Sequence, residues 1–132
     1  MRIKHGELFK IIKGIPEGSI VYRTGTYALV FLTPDNEIIR IVEKTGNENR
    51  KKELNRLDHP SVLQPLNSKT TKNYLIEVLP RIKTLDDSFS LRKTKRYMEK
   101  QGLRICDWKK ENFGVLPNGE IVAIDPGAVV LK

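Results

Sequence analysis

Ile105-Cys106-Asp107-Trp108-Lys109-Lys110-Glu111-Asn112 and, further on, Ile124-Asp125-Pro126-Gly127 are the segments on which the reading of this chain turns. Between them run Phe113-Gly114-Val115-Leu116, then Pro117-Asn118-Gly119, then Ile121-Val122-Ala123-Ile124. Two short apolar runs about an Asn-Gly turn predict a β-hairpin. Such a hairpin returns the chain to where it began, so Asp125 is expected beside Asn112. Carboxylate and amide oxygens suit a hard cation such as magnesium, which takes oxygen ligands together with phosphates. An Asp and an Asn next to a hairpin are also ordinary turn residues, and either segment alone says little. The two in order, with a hairpin between them, say more.

The 132 residues fit one domain with a modest core. Apolar residues make up 39% and are spread in short runs, which argues against disorder and leaves no stretch long enough to cross a bilayer. Met1-Arg2-Ile3-Lys4-His5-Gly6-Glu7 has neither a long apolar stretch nor a small-residue cleavage site. No secretory signal is therefore predicted, and the cytoplasm is the expected location. Cys106 is the single cysteine, which excludes an internal disulfide and a multi-cysteine metal site. It reads as a small buried filler, because no histidine lies near it to activate a thiolate.

Lys and Arg number 24 against 16 Asp and Glu, a net charge of +8 that favours anionic partners: a nucleotide, a nucleic acid or an acidic protein. The densest basic segments, Arg50-Lys51-Lys52 and Arg92-Lys93-Thr94-Lys95-Arg96, fall in expected helices and read as solvated faces. No aromatic ladder interleaves with them, so nucleic acid is the weakest of the three.

Leu8, Ile11 and Ile12 have helical spacing over Glu7 to Lys13, before Gly14 and Pro16-Glu17-Gly18. Ser19 to Tyr22, Tyr27 to Leu32 and Glu37 to Val42 predict three antiparallel strands. Asn47 can cap a helix to about Leu57, with Leu54 and Leu57 on one face and Arg50, Lys51 and Arg56 outward. Val62 to Leu66 and Tyr74 to Leu79 predict two more strands, joined by a polar turn from Asn67 to Asn73. Ser90 can cap a helix through Gln101, stopped by Gly102. The predicted class is α+β: a five-stranded antiparallel sheet with one packed helix, then a helix and the hairpin.

This order, with the two opening segments, resembles the protein kinase superfamily: a small lobe and the start of a large one. Kinases carry H-R-D-x-K-x-x-N and D-F-G, and Asp107, Lys109, Asn112 and Asp125 fall on the positions that carry chemistry. The resemblance implies ATP and Mg2+ as cofactors, with Asn112 and Asp125 as metal ligands and Asp107 and Lys109 as catalytic residues. It implies nucleotide contacts from Gly25 and Val30 in Arg23-Thr24-Gly25-Thr26-Tyr27-Ala28-Leu29-Val30, similar to G-x-G-x-x-G-x-V. Further contacts are implied at Ile38 and Arg40, the V-A-I-K position, and at Glu77 and Leu79 in the hinge-like Ile76-Glu77-Val78-Leu79. Arg40 stands where kinases have lysine, and the family's register puts Arg50 where that residue's Glu partner belongs. Glu48 and Glu53 lie near, so the ion pair stays unassigned.

By this resemblance residues 1–132 form a single minimal kinase-like domain: 1–18 a leading helix and turn, 19–80 small-lobe-like, 81–132 a remnant of the large lobe. Most of the large lobe is expected to be missing, since five residues follow Gly127. The expected activity is phosphoryl transfer from ATP to protein Ser/Thr hydroxyls. The acceptor would be positioned by a surface of its own or by a second copy of the chain. The alternatives are a pseudokinase-like protein-binding or regulatory module without turnover and, third, a basic nucleic-acid-binding protein, expected to bind with steep salt dependence.

Overall fold

A computed structural model describes residues 5–24, 28–44 and 56–132. The chain forms two compact units, residues 1–50 with 65–81, and residues 51–64 with 82–132. The mixed α+β class expected from the sequence is present.

The first unit holds helix α1 (His5–Lys13) and strands β1 (Ile20–Thr24), β2 (Ala28–Leu32), β3 (Glu37–Glu43), β4 (Asn67–Thr70) and β5 (Tyr74–Pro80). They make one antiparallel sheet in the order β1-β2-β3-β5-β4. The β2–β3 turn closes with the Thr33 amide on the Glu37 carbonyl at 2.9 Å. Asn36 takes a positive φ of 61° there, a conformation that asparagine tolerates. Alternation along the strands sends Phe31, Ile39, Ile41 and Tyr74 to one face, where Leu8 of α1 completes the core. The Glu7 carboxylate fastens the helix by accepting from the Asn73 amide at 3.0 Å and from Asn73 Nδ2 at 2.7 Å.

Two expectations are corrected in this region. The strand next to β5 is Asn67–Thr70, fully exposed, and not the apolar run Val62 to Leu66. An edge strand open to solvent needs backbone pairing but no apolar face, so it carries little hydrophobic signal. Val62 instead belongs to the other unit's core, through a parallel bridge to Ala123. The helix expected from Asn47 falls largely on residues 45–55, outside the described residues. Its expected end is not helical, since residues 56–59 have no regular structure.

The second unit contains β6 (Lys83–Thr84), α2 (Leu91–Lys100), β7 (Leu103–Ile105), β8 (Phe113–Val115), β9 (Ile121–Ala123) and β10 (Val129–Leu131). Helix α2 begins where Ser90 accepts from the Lys93 amide at 3.1 Å, and ends before Gly102, whose φ is 79°. The hairpin β8–β9 turns at Gly119, φ 87°, whose amide reaches the Leu116 carbonyl at 2.8 Å. Strand β6 adds to its edge as β6-β8-β9, and β7 pairs with β10. The very short strands β6, β7 and β10 have no sequence signal of their own. Glycine is required at 114, because a Cβ there would lie 2.5 Å from Ile82 Cδ1 and 2.8 Å from the Lys83 carbonyl. Leu85, Met98, Leu103, Phe113 and Val129 fill the core beneath. Among the described residues no helix is long and apolar enough to cross a membrane.

Candidate functional site

The hairpin delivers what its spacing predicts. The Asn112 carbonyl accepts from the Ile124 amide at 2.7 Å and from the Asp125 amide at 3.3 Å, so the two candidate ligands sit side by side across β8 and β9. Asn112 is buried, at 3% exposure, on a short 3-10 turn, Lys110–Asn112. Its amide Nδ2 is directed to Asp107, 3.3 Å from Oδ2 and 3.4 Å from the backbone oxygen. That commitment leaves Asn112 Oδ1 as the atom to offer a cation. Asp125 is half-buried and caps the next turn, Oδ1 accepting from the Gly127 amide at 3.0 Å, which leaves Oδ2 for a ligand.

Asp107 owes its exposed position to its neighbours. The amides of Cys106 and Asp107 both turn onto the Ala128 carbonyl, at 2.7 and 3.3 Å, just after β7 ends. Trp108 then packs against Phe113, ring centroids 5.5 Å apart, and anchors the loop to the core. Asp107 and Lys109 on either side of Trp108 are left exposed. Cys106 is exposed as well, contrary to its reading as a buried filler. Strand alternation ends at Ile105, so the apolar neighbour says nothing about the side the thiol takes.

Asn112 and Asp125 fit magnesium as a donor set. Two protein oxygens are a common share for this ion, the remaining octahedral positions going to water and phosphate oxygens. Among the described residues no three His, Cys, Asp or Glu side chains gather as an all-protein metal cage.

The candidate nucleotide residues lie in the first unit. Gly25 is outside the described residues. Val30, Arg40 and Glu77 are register partners across β2, β3 and β5, and Ile38 partners Leu79. All five thus share the sheet face opposite α1. Arg40 Nη1 donates to Glu77 Oε1 at 2.9 Å, both side chains being buried. This supplies a carboxylate partner for Arg40 among the described residues, from the neighbouring strand.

Two groups carry no mark in the sequence. Arg56, expected to look outward, is half-buried and donates from Nη1 to the carbonyls of Leu63 at 2.8 Å and Ile124 at 3.2 Å. A basic residue beside an expected helix end gives no local sign of a partner so distant in sequence. The connector before α2 is the other. Lys110 pairs with Asp87, and the Leu85 amide reaches the Phe113 carbonyl at 3.2 Å, so this segment borders the Asp107 loop. Within it, hydrogen bonds from the Ser88 hydroxyl and then the Ser88 amide hold the Asp86 carboxyl below its ordinary value of 3.8, with Lys83 and Lys110 adding to the effect.

A carboxyl whose pKa falls on folding supports its turn above the ordinary value, and that support fades as pH drops through the lowered one. The Asp86 carboxyl, followed by NMR, is expected to titrate below 3.8. Ser88→Ala, which keeps the amide bond, is expected to bring it part of the way back up; an identical midpoint in that variant would remove the Ser88 hydroxyl as a cause.

No family model matches this chain, and no curated protein does. Among solved structures, the 2.2 Å crystal structure of WbdD is similar, with a TM-score of 0.56 and 14% identity, covering 83% of this chain and 32% of that one. The chain therefore spans about a third of the length of that protein. At this identity the likeness is one of fold alone.

Proposed function

We propose that this chain is a kinase-like phosphotransferase that moves the terminal phosphate of ATP to a hydroxyl in the presence of magnesium, with protein Ser/Thr as the acceptor class. The observation that carries the reading is the cluster in the second unit. Asn112 is bonded to Asp107 through its side chain and to Asp125 through its backbone. Asn112 Oδ1 and Asp125 Oδ2 would hold the cation, which when bound would neutralise phosphate charge. The exposed Asp107 carboxylate would orient the acceptor hydroxyl and take its proton as the new O–P bond forms and the bond to the leaving ADP oxygen breaks. Lys109 would offset charge on the moving phosphoryl group. Gly25, Val30, Ile38, Arg40, Glu77 and Leu79 are the nucleotide contacts of this reading.

A second reading, a protein-binding module without turnover, is favoured by one feature. The Arg40 guanidinium is already engaged by the buried Glu77 carboxylate.

The test is transfer from γ-labelled ATP, with magnesium, to proteins of a cell extract. Asp107→Ala is expected to lower labelling by about 10²–10⁴, the usual contribution of a positioned acid or base. Equal labelling by the wild type and the variant would sink the enzyme reading. No labelling by either, with ATP still bound, would favour the binding module.

A further inference from the structure

We infer that Arg56 is a positioning residue that sets the orientation of the Asp125 carboxylate through the backbone. The inference rests on the reading of Asp125 as a magnesium ligand. The Ile124 carbonyl and the Asp125 amide belong to one peptide plane, and that plane is gripped at both edges. Its N–H edge donates to the Asn112 carbonyl at 3.3 Å, and its C=O edge accepts from Arg56 Nη1 at 3.2 Å. A peptide unit is rigid, so fixing both edges fixes the N–Cα axis about which the Asp125 side chain is set, and its φ of −81° then gives the direction in which it leaves the chain. Asp125 Oδ1 is then engaged by the Gly127 amide, which restricts rotation of the carboxylate and aims Oδ2.

Arg56 is itself held in place. The same Nη1 donates to the Leu63 carbonyl at 2.8 Å, and the segment it anchors is laced to β9. The Leu63 amide bonds the Ala123 carbonyl and the Ala123 amide bonds the Ser61 carbonyl, each at 2.8 Å. A guanidinium suits this place because one nitrogen presents two hydrogens in a fixed plane, whereas a lysine ammonium is a rotating point donor.

The test uses the full chain and two readouts on wild type, Arg56→Met and Arg56→Lys. The first is amide hydrogen exchange without ligand. Asp125 and Gly127 are expected to exchange about tenfold faster in Arg56→Met and less so in Arg56→Lys, with Thr94 in α2 unchanged as a control. The second is the magnesium concentration giving half of the ATP-dependent rise in Tm, expected to increase at least about tenfold in Arg56→Met, as when outer partners of metal ligands are removed. Unchanged exchange at Asp125 and Gly127 would overturn the inference, as would faster exchange with an unaltered magnesium requirement. Should Arg56→Met not fold, Arg56→Lys carries the same comparison. Faster exchange in the variants, with no magnesium-dependent response even in the wild type, would sink the phosphotransfer reading while supporting the hold of Arg56 on the turn.

Discussion

Asp125→Asn is expected to abolish most of the magnesium-dependent stabilisation by ATP while leaving the free protein close to wild type. On the proposed reading the side chain has two separable jobs. Oδ1 caps the Gly127 amide, and an asparagine oxygen can do the same. The negative charge that, on the proposed reading, would draw a divalent cation is lost. A ligand present at about a hundred times its Kd stabilises the folded state by about 2.7 kcal/mol, roughly a 10 °C rise in Tm for a chain of this size. That increment, read by thermal shift with and without magnesium, should fall to a small fraction in Asp125→Asn. Asp125→Ala should lose it too, with an added cost of about 1 kcal/mol in the ligand-free protein because the cap is gone. A magnesium midpoint in Asp125→Asn equal to wild type would remove Asp125 from the ligand set.

The largest stability effect is expected at Arg40 and Glu77. Arg40→Met would leave the Glu77 carboxylate buried without the guanidinium that neutralises it, and breaking a buried pair from one side costs about 3–5 kcal/mol. Replacing both, as in Arg40→Met with Glu77→Leu, should recover most of the loss. Charge burial then disappears along with charge attraction, and an apolar pair of similar size can be close to neutral. Urea unfolding of the single and double variants measures this directly, the coupling being the deviation from additivity. A single-variant cost below about 1 kcal/mol, the range of exposed pairs, would contradict the buried pair. The same variants bear on function. If Arg40 contacts phosphate, Arg40→Met should weaken ATP binding beyond what its lower stability explains.

Several elements are legible from neighbouring residues because their causes are local. Ser90 and Gly102 bracket α2 by satisfying helix-end groups, and Pro117-Asn118-Gly119 turns the β8–β9 hairpin. The hairpin in turn brings Asn112 and Asp125 together, so most of the second unit's candidate site is legible in the order of its residues. Strands β2, β3 and β5 announce themselves by apolar, β-branched runs, as buried central strands do.

Other features depend on partners far along the chain. The edge strand Asn67–Thr70 is polar and forms because β5 offers it hydrogen bonds, while the apolar Val62 shortly before it packs on Ala123 instead. Arg40 meets Glu77 only because β3 and β5 pair in one register; a slip of one residue would place the two on opposite faces. Arg56 meets Ile124 only through the folding of 56–64 onto β9. The opening segments by themselves therefore determine which side chains carry the candidate chemistry and bring two of them together, since turns and caps act over a few residues. How those side chains are held, and by which charges, depends on strand register and packing between distant segments, which no short window of sequence contains.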